Sequence, residues 1–360
     1  MTDTTRKGSD FEAGLDKSDT RVADFSARGR TPLQHLQHFL HANPTMVPVI
    51  VLLCGIGVFG ALIGGRFFNA FTMTLILQQV AIVGIVGVAQ TLIILTAGID
   101  LSVGAIMVLS SVVMGNLAVV NGVPAPLALF AGLAVGTACG ALNGVLIAKV
   151  RLPPFIVTLG TWFVYEAVNF IYTQNATIRA QDVEAAAPMM QFLGRTFQVG
   201  GAVFTYAVVA VLLLVALFYY ILNNTAWGRH VYAVGDDEDA ARLSGIRSNK
   251  VLISVYAVSG LICGFAGWAL IGRIGSVSPT SGYEANIQAI TAVVIGGTSL
   301  FGGRGTMVGT LLGALTVAVI ANGLILAHMS PFLTPIITGT IILVAIWLNF
   351  RLFRGASRGR

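Results

Sequence analysis

The feature that most constrains this chain is a succession of apolar stretches, most of them about the 20-residue length of a membrane-spanning helix. They fall at 46–64, 72–97, 103–120, 125–148, 154–173, 201–222, 251–272, 285–298, 306–327 and 334–350. Ten spans are therefore expected, the eighth so short that it reads as broken or re-entrant. Hydrophobic residues make up 56% of the chain and charged residues 10%, against about a quarter charged in soluble domains. The bilayer must serve as solvent for most of the chain, so the expected fold is an all-α integral membrane protein.

Residues 1–45 are polar, without the apolar stretch that a cleavable signal peptide needs. They read as a tail ending in a short interfacial helix that carries Leu33, Leu36 and Leu40. His35, His38 and His41 lie on that helix, but no carboxylate or Cys joins them. A solvated face is favoured over a metal site. Cys54, Cys139 and Cys263 lack metal-ligand spacing and read as core residues.

Charge orients the spans. With the N-terminus inside, 17 of the 21 Lys and Arg residues fall on cytoplasmic segments, as the positive-inside rule requires. Arg66, Arg179, Arg195 and Arg273 remain outside. The basic balance thus belongs to membrane orientation, and nucleic acid is not implied. The expected organisation is a cytoplasmic tail (1–45), a transmembrane domain (46–350) with a cytoplasmic loop (223–250) inside it, and a basic cytoplasmic tail (351–360).

The two halves echo each other. Asn143-Gly144 in the fourth span and Asn322-Gly323 in the ninth are each followed by a proline that opens the next span, Pro154 and Pro335. A shift of five spans makes spans 2–5 and 7–10 inverted copies, a common transporter design. Gly136, Gly140 and Gly144, and likewise Gly305, Gly309 and Gly313, form small-residue faces. Such faces suit contact between subunits and ordinary packing within the chain equally well.

Two segments carry the functional signals. Residues 90–104 place Asp100 between two apolar spans, where a charge is costly. Asp100 and Ser102 suit a cap on the third span, with a place on the solute pathway also open. Gln90 and Thr91 could meet a polar solute or bond between helices. In the loop after the sixth span, acids at 236–239 precede a helical run that stops at Ser244-Gly245. A short helix there suits docking on a cytoplasmic partner.

These segments, with Pro153–Thr161 and the run Ile290–Gly305, closely resemble the permease subunits of bacterial ABC sugar importers of the ribose, xylose and fructose type. The resemblance covers 45–350; the family pattern usually has glycine at Ala97, a departure expected to cost little. It implies an inner-membrane homodimer, a cytoplasmic ABC ATPase that uses ATP and Mg2+, and a periplasmic sugar-binding protein. By the same resemblance, Gly228, Arg229, Ala240, Arg242, Leu243, Ser244 and Gly245 belong to the ATPase-coupling element. The loops around 174–200 and 273–284 would face the binding protein.

Pathway candidates are Gln90, Thr91, Asp100, Asn143, Trp162 and Asn322, with Tyr165, Phe170 and Tyr172 as further aromatic candidates for a sugar. No catalytic residue, metal site or cofactor is expected in the chain itself. A P-loop needs Gly-Lys-Ser/Thr, and none of Lys7, Lys17, Lys149 and Lys250 follows a glycine. Fructose or ribose is the favoured cargo, with xylose and galactose open. An ion-coupled transporter would need acids near mid-span, and only Asp100, Glu166 and Glu284 are available. No protease motif supports a membrane enzyme.

Overall fold

A computed structural model of the chain describes residues 46–199, 202–330, 333, 336, 337, 339 and 340. Among the described residues the helices run α1 (Met46–Ile63), α2 (Ala70–Leu95), α3 (Val103–Gly115), α4 (Ala125–Ala148), α5 (Pro154–Thr173) and α6 (Ala180–Ala186). A hairpin follows, β1 (Thr196–Val199) against β2 (Ala202–Thr205). Then come α7 (Tyr206–Asn224), α8 (Ala226–Asp236), α9 (Glu238–Leu243), α10 (Ser248–Ile274), α11 (Ala285–Ile295) and α12 (Met307–Leu326). A π-helical turn, Asn116–Val120, extends α3.

Eight helices among the described residues are long and apolar enough to cross a membrane. The chain is an essentially all-α, multi-pass membrane protein. Helix α11 has 11 residues, roughly 16 Å at 1.5 Å per residue, which falls short of a crossing. The tenth expected span, the tail with its histidines and the basic C-terminus lie outside the described residues.

Polar turn residues set the helix starts. Asn69, Thr225, Asp237 and Thr306 each accept a backbone N–H from the first turn of α2, α8, α9 and α12, the N-cap contact these residue types favour. The sixth span begins later than the expected 201. Thr196 pairs with Thr205 and Phe197 with Phe204 in an antiparallel register, because their alternating aromatic and β-branched residues suit a strand. The Phe197 and Phe204 rings stack at 5.9 Å, and α7 starts only at Tyr206.

Helix α2 forms the centre: every residue from Val80 to Leu95 is buried. A helix apolar all round belongs inside a bundle. Helices α3, α10 and α12 join it, whereas α1, α4, α5 and α7 leave most of their surface outward. Both small-residue faces serve contacts within the chain. Gly136 and Gly140 meet Gly260 and the Tyr256 carbonyl on α10, with Gly144 against Ile253. Gly309 and Gly313 meet the Gly296 and Ala292 carbonyls, and Gly305 meets Thr298.

A side chain at Gly140 would collide with the α10 backbone, whereas Gly57 on α1 has open space beside it. Gly140→Leu should therefore lose the monodisperse peak on size-exclusion chromatography in detergent, and Gly57→Leu should keep it.

Candidate functional site

Two connected arrangements bring the chemistry-bearing residues together. The first is the α8–α9 unit. Helix α8 buries Gly228, Val231, Val234 and Gly235 and is tied down by its aromatics. Trp227 Nε1 donates to Ser254 Oγ at 2.8 Å, and Tyr232 Oη donates to the Gly305 carbonyl at 2.8 Å. Burial pushes the Tyr232 phenol above its ordinary pKa, so it remains a donor at physiological pH. Asp237 then caps α9, whose acids Glu238 and Asp239 lie in the first turn and Arg242 in the last, matching the helix dipole. Helix α9 stops at Ser244-Gly245 as expected, but α8, which precedes the acids, was not foreseen.

The unit is pinned to the membrane helices through backbone. Gly303 N donates to the Leu95 carbonyl, which ends α2, at 3.0 Å. Gly235 lies against that same carbonyl, and Gly302 lies against the Gly235 carbonyl and Ala97. A Cβ at either glycine would overlap these atoms, so α8, the end of α2 and the 296–306 loop touch with no side chain between them. Ala97 itself has φ 58°. The departure from glycine there is therefore not free, because an L-residue in the left-handed region costs roughly 1–2 kcal/mol.

Beside this junction opens a cleft of about 660 Å³ whose lining includes Ala97, Arg151, Asp236, Glu238 and Arg242. Arg242 pairs with Glu238 at 2.6 Å, both partly exposed, a helix-surface pair worth roughly 0.3–0.5 kcal/mol. Leu243 is 91% exposed. Arg229, Ala240, Arg242, Ser244 and Gly245 are also exposed. Gly228 is not part of that surface, being buried against the Ile221 and Leu222 carbonyls at the α7–α8 corner.

The second arrangement is a buried polar lock. Asp100 Oδ1 accepts from Ser102 N and Ser102 Oγ, each at 2.6 Å. Asn143 Nδ2 donates to Ser102 Oγ at 2.8 Å, and Tyr165 Oη reaches Asn143 Oδ1 at 3.2 Å and the Cys139 carbonyl at 2.9 Å. The N-cap residue of α3 is Ser102, yet its side chain makes no capping bond. Asp100 thus accepts the backbone N–H at the start of α3, as expected of a cap, while the Ser102 hydroxyl turns to Asp100 and Asn143.

Helix α5 extends the lock in both directions along Thr158, Thr161, Tyr165, Asn169 and Thr173, all buried. Thr158 Oγ1 accepts from Leu101 N at 3.1 Å and lies 3.2 Å from the Ile99 carbonyl. Asn169 Nδ2 donates to the Pro279 carbonyl at 2.7 Å and to Tyr283 Oη at 3.0 Å. One helix face therefore fastens the connector after α2 and the connector after α10. The helical spacing of these polar residues was the available signal.

The other expected pathway residues separate. Thr91 bonds to the Gly87 carbonyl and to Thr310 Oγ1, at 2.7 and 2.6 Å, which is contact between helices. Gln90 is fully buried, and neither amide atom has a partner among the described residues. Trp162 is half-buried on α5, and Asn322 donates to the Ala318 carbonyl within α12. Asp100 and Asn143 meet through Ser102, and Tyr165 of the aromatic candidates joins them at Asn143.

The family described as branched-chain amino acid transport system / permease component matches residues 72–346. The fructose import permease protein FrcC of Rhizobium meliloti is 59% identical, covering 94% of this chain and 94% of its own. The ribose import permease protein RbsC of Escherichia coli (strain K12) is 39% identical, covering 86% of this chain and 94% of its own. The xylose transport system permease protein XylH of Escherichia coli (strain K12) is 32% identical, covering 79% and 86%. No solved structure matches.

Two stability changes follow from the geometry. Tyr165→Phe removes the buried phenol shared between the Cys139 carbonyl and Asn143 Oδ1, so thermal unfolding in detergent should show a loss of about 1–3 kcal/mol. Ala97→Gly relieves the left-handed strain and should raise the melting temperature slightly.

Proposed function

We propose that this chain carries a monosaccharide across the bilayer, from a plain premise: it belongs to the family of branched-chain amino acid transport system / permease components. The chain is the permease subunit of an ABC importer, a multi-pass inner-membrane protein with a non-catalytic role. The observation that carries the sugar reading is 59% identity to a fructose import permease along nearly the full length of both chains. The ribose and xylose permeases at lower identity support a monosaccharide cargo over an amino acid. Fructose is the first choice and ribose the second, ahead of xylose and galactose.

In this reading two copies form the gate, a separate ATPase hydrolyses ATP with Mg2+, and a periplasmic protein delivers the sugar. Both termini and the α8–α9 unit face the cytoplasm, as the Lys and Arg distribution favours. The two halves are inverted copies around the pathway. Leu243, with Ser244 and Gly245, enters a groove on the ATPase. The backbone junction at Leu95, Gly235 and Gly302 passes its motion to α2, α11 and α12. Nothing soft separates these elements, so a displacement of α9 cannot be absorbed locally.

Proteoliposomes holding the chain with its ATPase should accumulate fructose when ATP and loaded binding protein are supplied. The chain alone should accumulate none. Uphill uptake by the chain alone, or uptake of leucine but no monosaccharide, would overturn the reading. Leu243→Asp should weaken ATPase docking while leaving the chain folded, because Leu243 is almost wholly exposed. Arg242→Glu is less clean, since it also breaks the Glu238 pair. Wild-type-like docking and uptake by Leu243→Asp would remove α9 from the coupling surface. For topology, Ser244→Cys in a chain stripped of its native cysteines should react with an impermeant maleimide in inside-out vesicles only.

A further inference from the structure

A second cleft lies beside the middle of α2 and the C-terminal end of α10, away from the α8–α9 unit. Its volume is about 440 Å³, within the roughly 300–1,000 Å³ of small-molecule sites. Its polar lining includes Gln79, Arg273, Thr280, Tyr283, Glu284 and Gln288, over a floor of Ile82 and Leu270. None of these six polar residues was among the pathway candidates legible in the sequence. They come from three separate parts of the chain, α2, the end of α10 with the connector after it, and α11.

The chemistry of this lining is particular. Gln79 Nε2 donates to Gln288 Oε1 at 2.6 Å, joining α2 to α11. That leaves the Gln79 carbonyl and the Gln288 amine as a free acceptor and donor. Arg273 and Glu284 are both exposed, and among the described residues neither forms an ion pair. Tyr283 is held from behind by Asn169, itself fully buried on α5. Burial pushes the Tyr283 hydroxyl up to about 12, against the opposing hydrogen bond from Asn169, so the ring presents a neutral phenol. A carboxylate, a guanidinium, two amides and an aromatic ring around one small space suit a ligand that both donates and accepts at many points. An ion would leave one of the two opposite charges facing it unfavourably.

We propose that this cleft is a transit subsite for a neutral polyhydroxy compound, a monosaccharide, within the permease itself. Glu284 and the Gln79–Gln288 pair bind hydroxyls, and Tyr283 offers its ring. The subsite also links cargo to the bundle: Asn169 ties Tyr283 to the α5 face on which Thr158 holds Leu101 in the connector after α2. This inference rests on the monosaccharide reading above and adds to it a place of contact in this chain.

The test uses the complete complex with its ATPase and binding protein in proteoliposomes. Losing one hydroxyl contact costs about tenfold, so Glu284→Leu and Gln288→Leu should each lower the fructose delivered per ATP hydrolysed by about that factor. Gln288→Asn, which keeps an amide, should recover part of it. A direct measurement covers the case in which a variant is merely misfolded. In a chain without native cysteines, fructose should slow methanethiosulfonate labelling of Gln288→Cys and leave labelling of Glu184→Cys, on exposed α6, unchanged.

Unaltered delivery per ATP in both variants, with no protection of Gln288→Cys, would overturn the subsite while leaving the importer reading standing. Protection by a zwitterionic amino acid and not by fructose would also overturn it. A wild-type complex that moves no monosaccharide would overturn both together.

Discussion

Backbone polar groups in a bilayer have no water to turn to, and that constraint organises this protein. Helices satisfy their own groups; the two connectors that interrupt the bundle, after α2 and after α10, cannot. Their carbonyl and amide groups are met by side chains from elsewhere. Thr158 serves Leu101 and Ile99, Asn286 donates to the Leu101 carbonyl at 2.6 Å, and Asn169 donates to the Pro279 carbonyl. The buried polar stripe of α5 therefore makes irregular backbone tolerable inside the bundle. Asp100 survives there for the same reason, with its oxygen held by Ser102 and the pair held by Asn143.

The second constraint is close packing without a hydrophobic drive between helices, since lipid tails are as apolar as leucine. The α4–α10 seam brings backbones together over Gly136, Gly140 and Gly260. The same device appears where α8 meets the membrane helices, at Gly235 and Gly302. Contacts of this kind have little compliance. They explain why the run 296–305 is so rich in glycine.

The polar residues that the sequence singles out have partners far along the chain. Asp100 and Asn143 were singled out and do meet, but through Ser102, which had been read as a cap. Thr91, read as either a pathway residue or a bond between helices, bonds to Thr310, 219 positions away. Gly228 was grouped with the exposed coupling residues and turns out to shape the α7–α8 corner. The acid-rich start and Ser244-Gly245 stop of α9 were legible because capping and dipole effects are local. The partners of Asn169, 110 and 114 positions distant, have no local signature.

The sequence alone determined what depends on neighbours along the chain. Apolar runs set the spans, the shortness of the eighth marked it as broken or re-entrant, and the Lys and Arg distribution favoured one orientation. Motif order identified the family. Only the tertiary structure decided which glycines touch, that both small-residue faces serve contacts within the chain, and that one face of α5 fastens both connectors. The reason is physical. Length, hydropathy and caps are properties of a segment, whereas satisfying a buried carbonyl or admitting a backbone at close range depends on what the fold brings beside it.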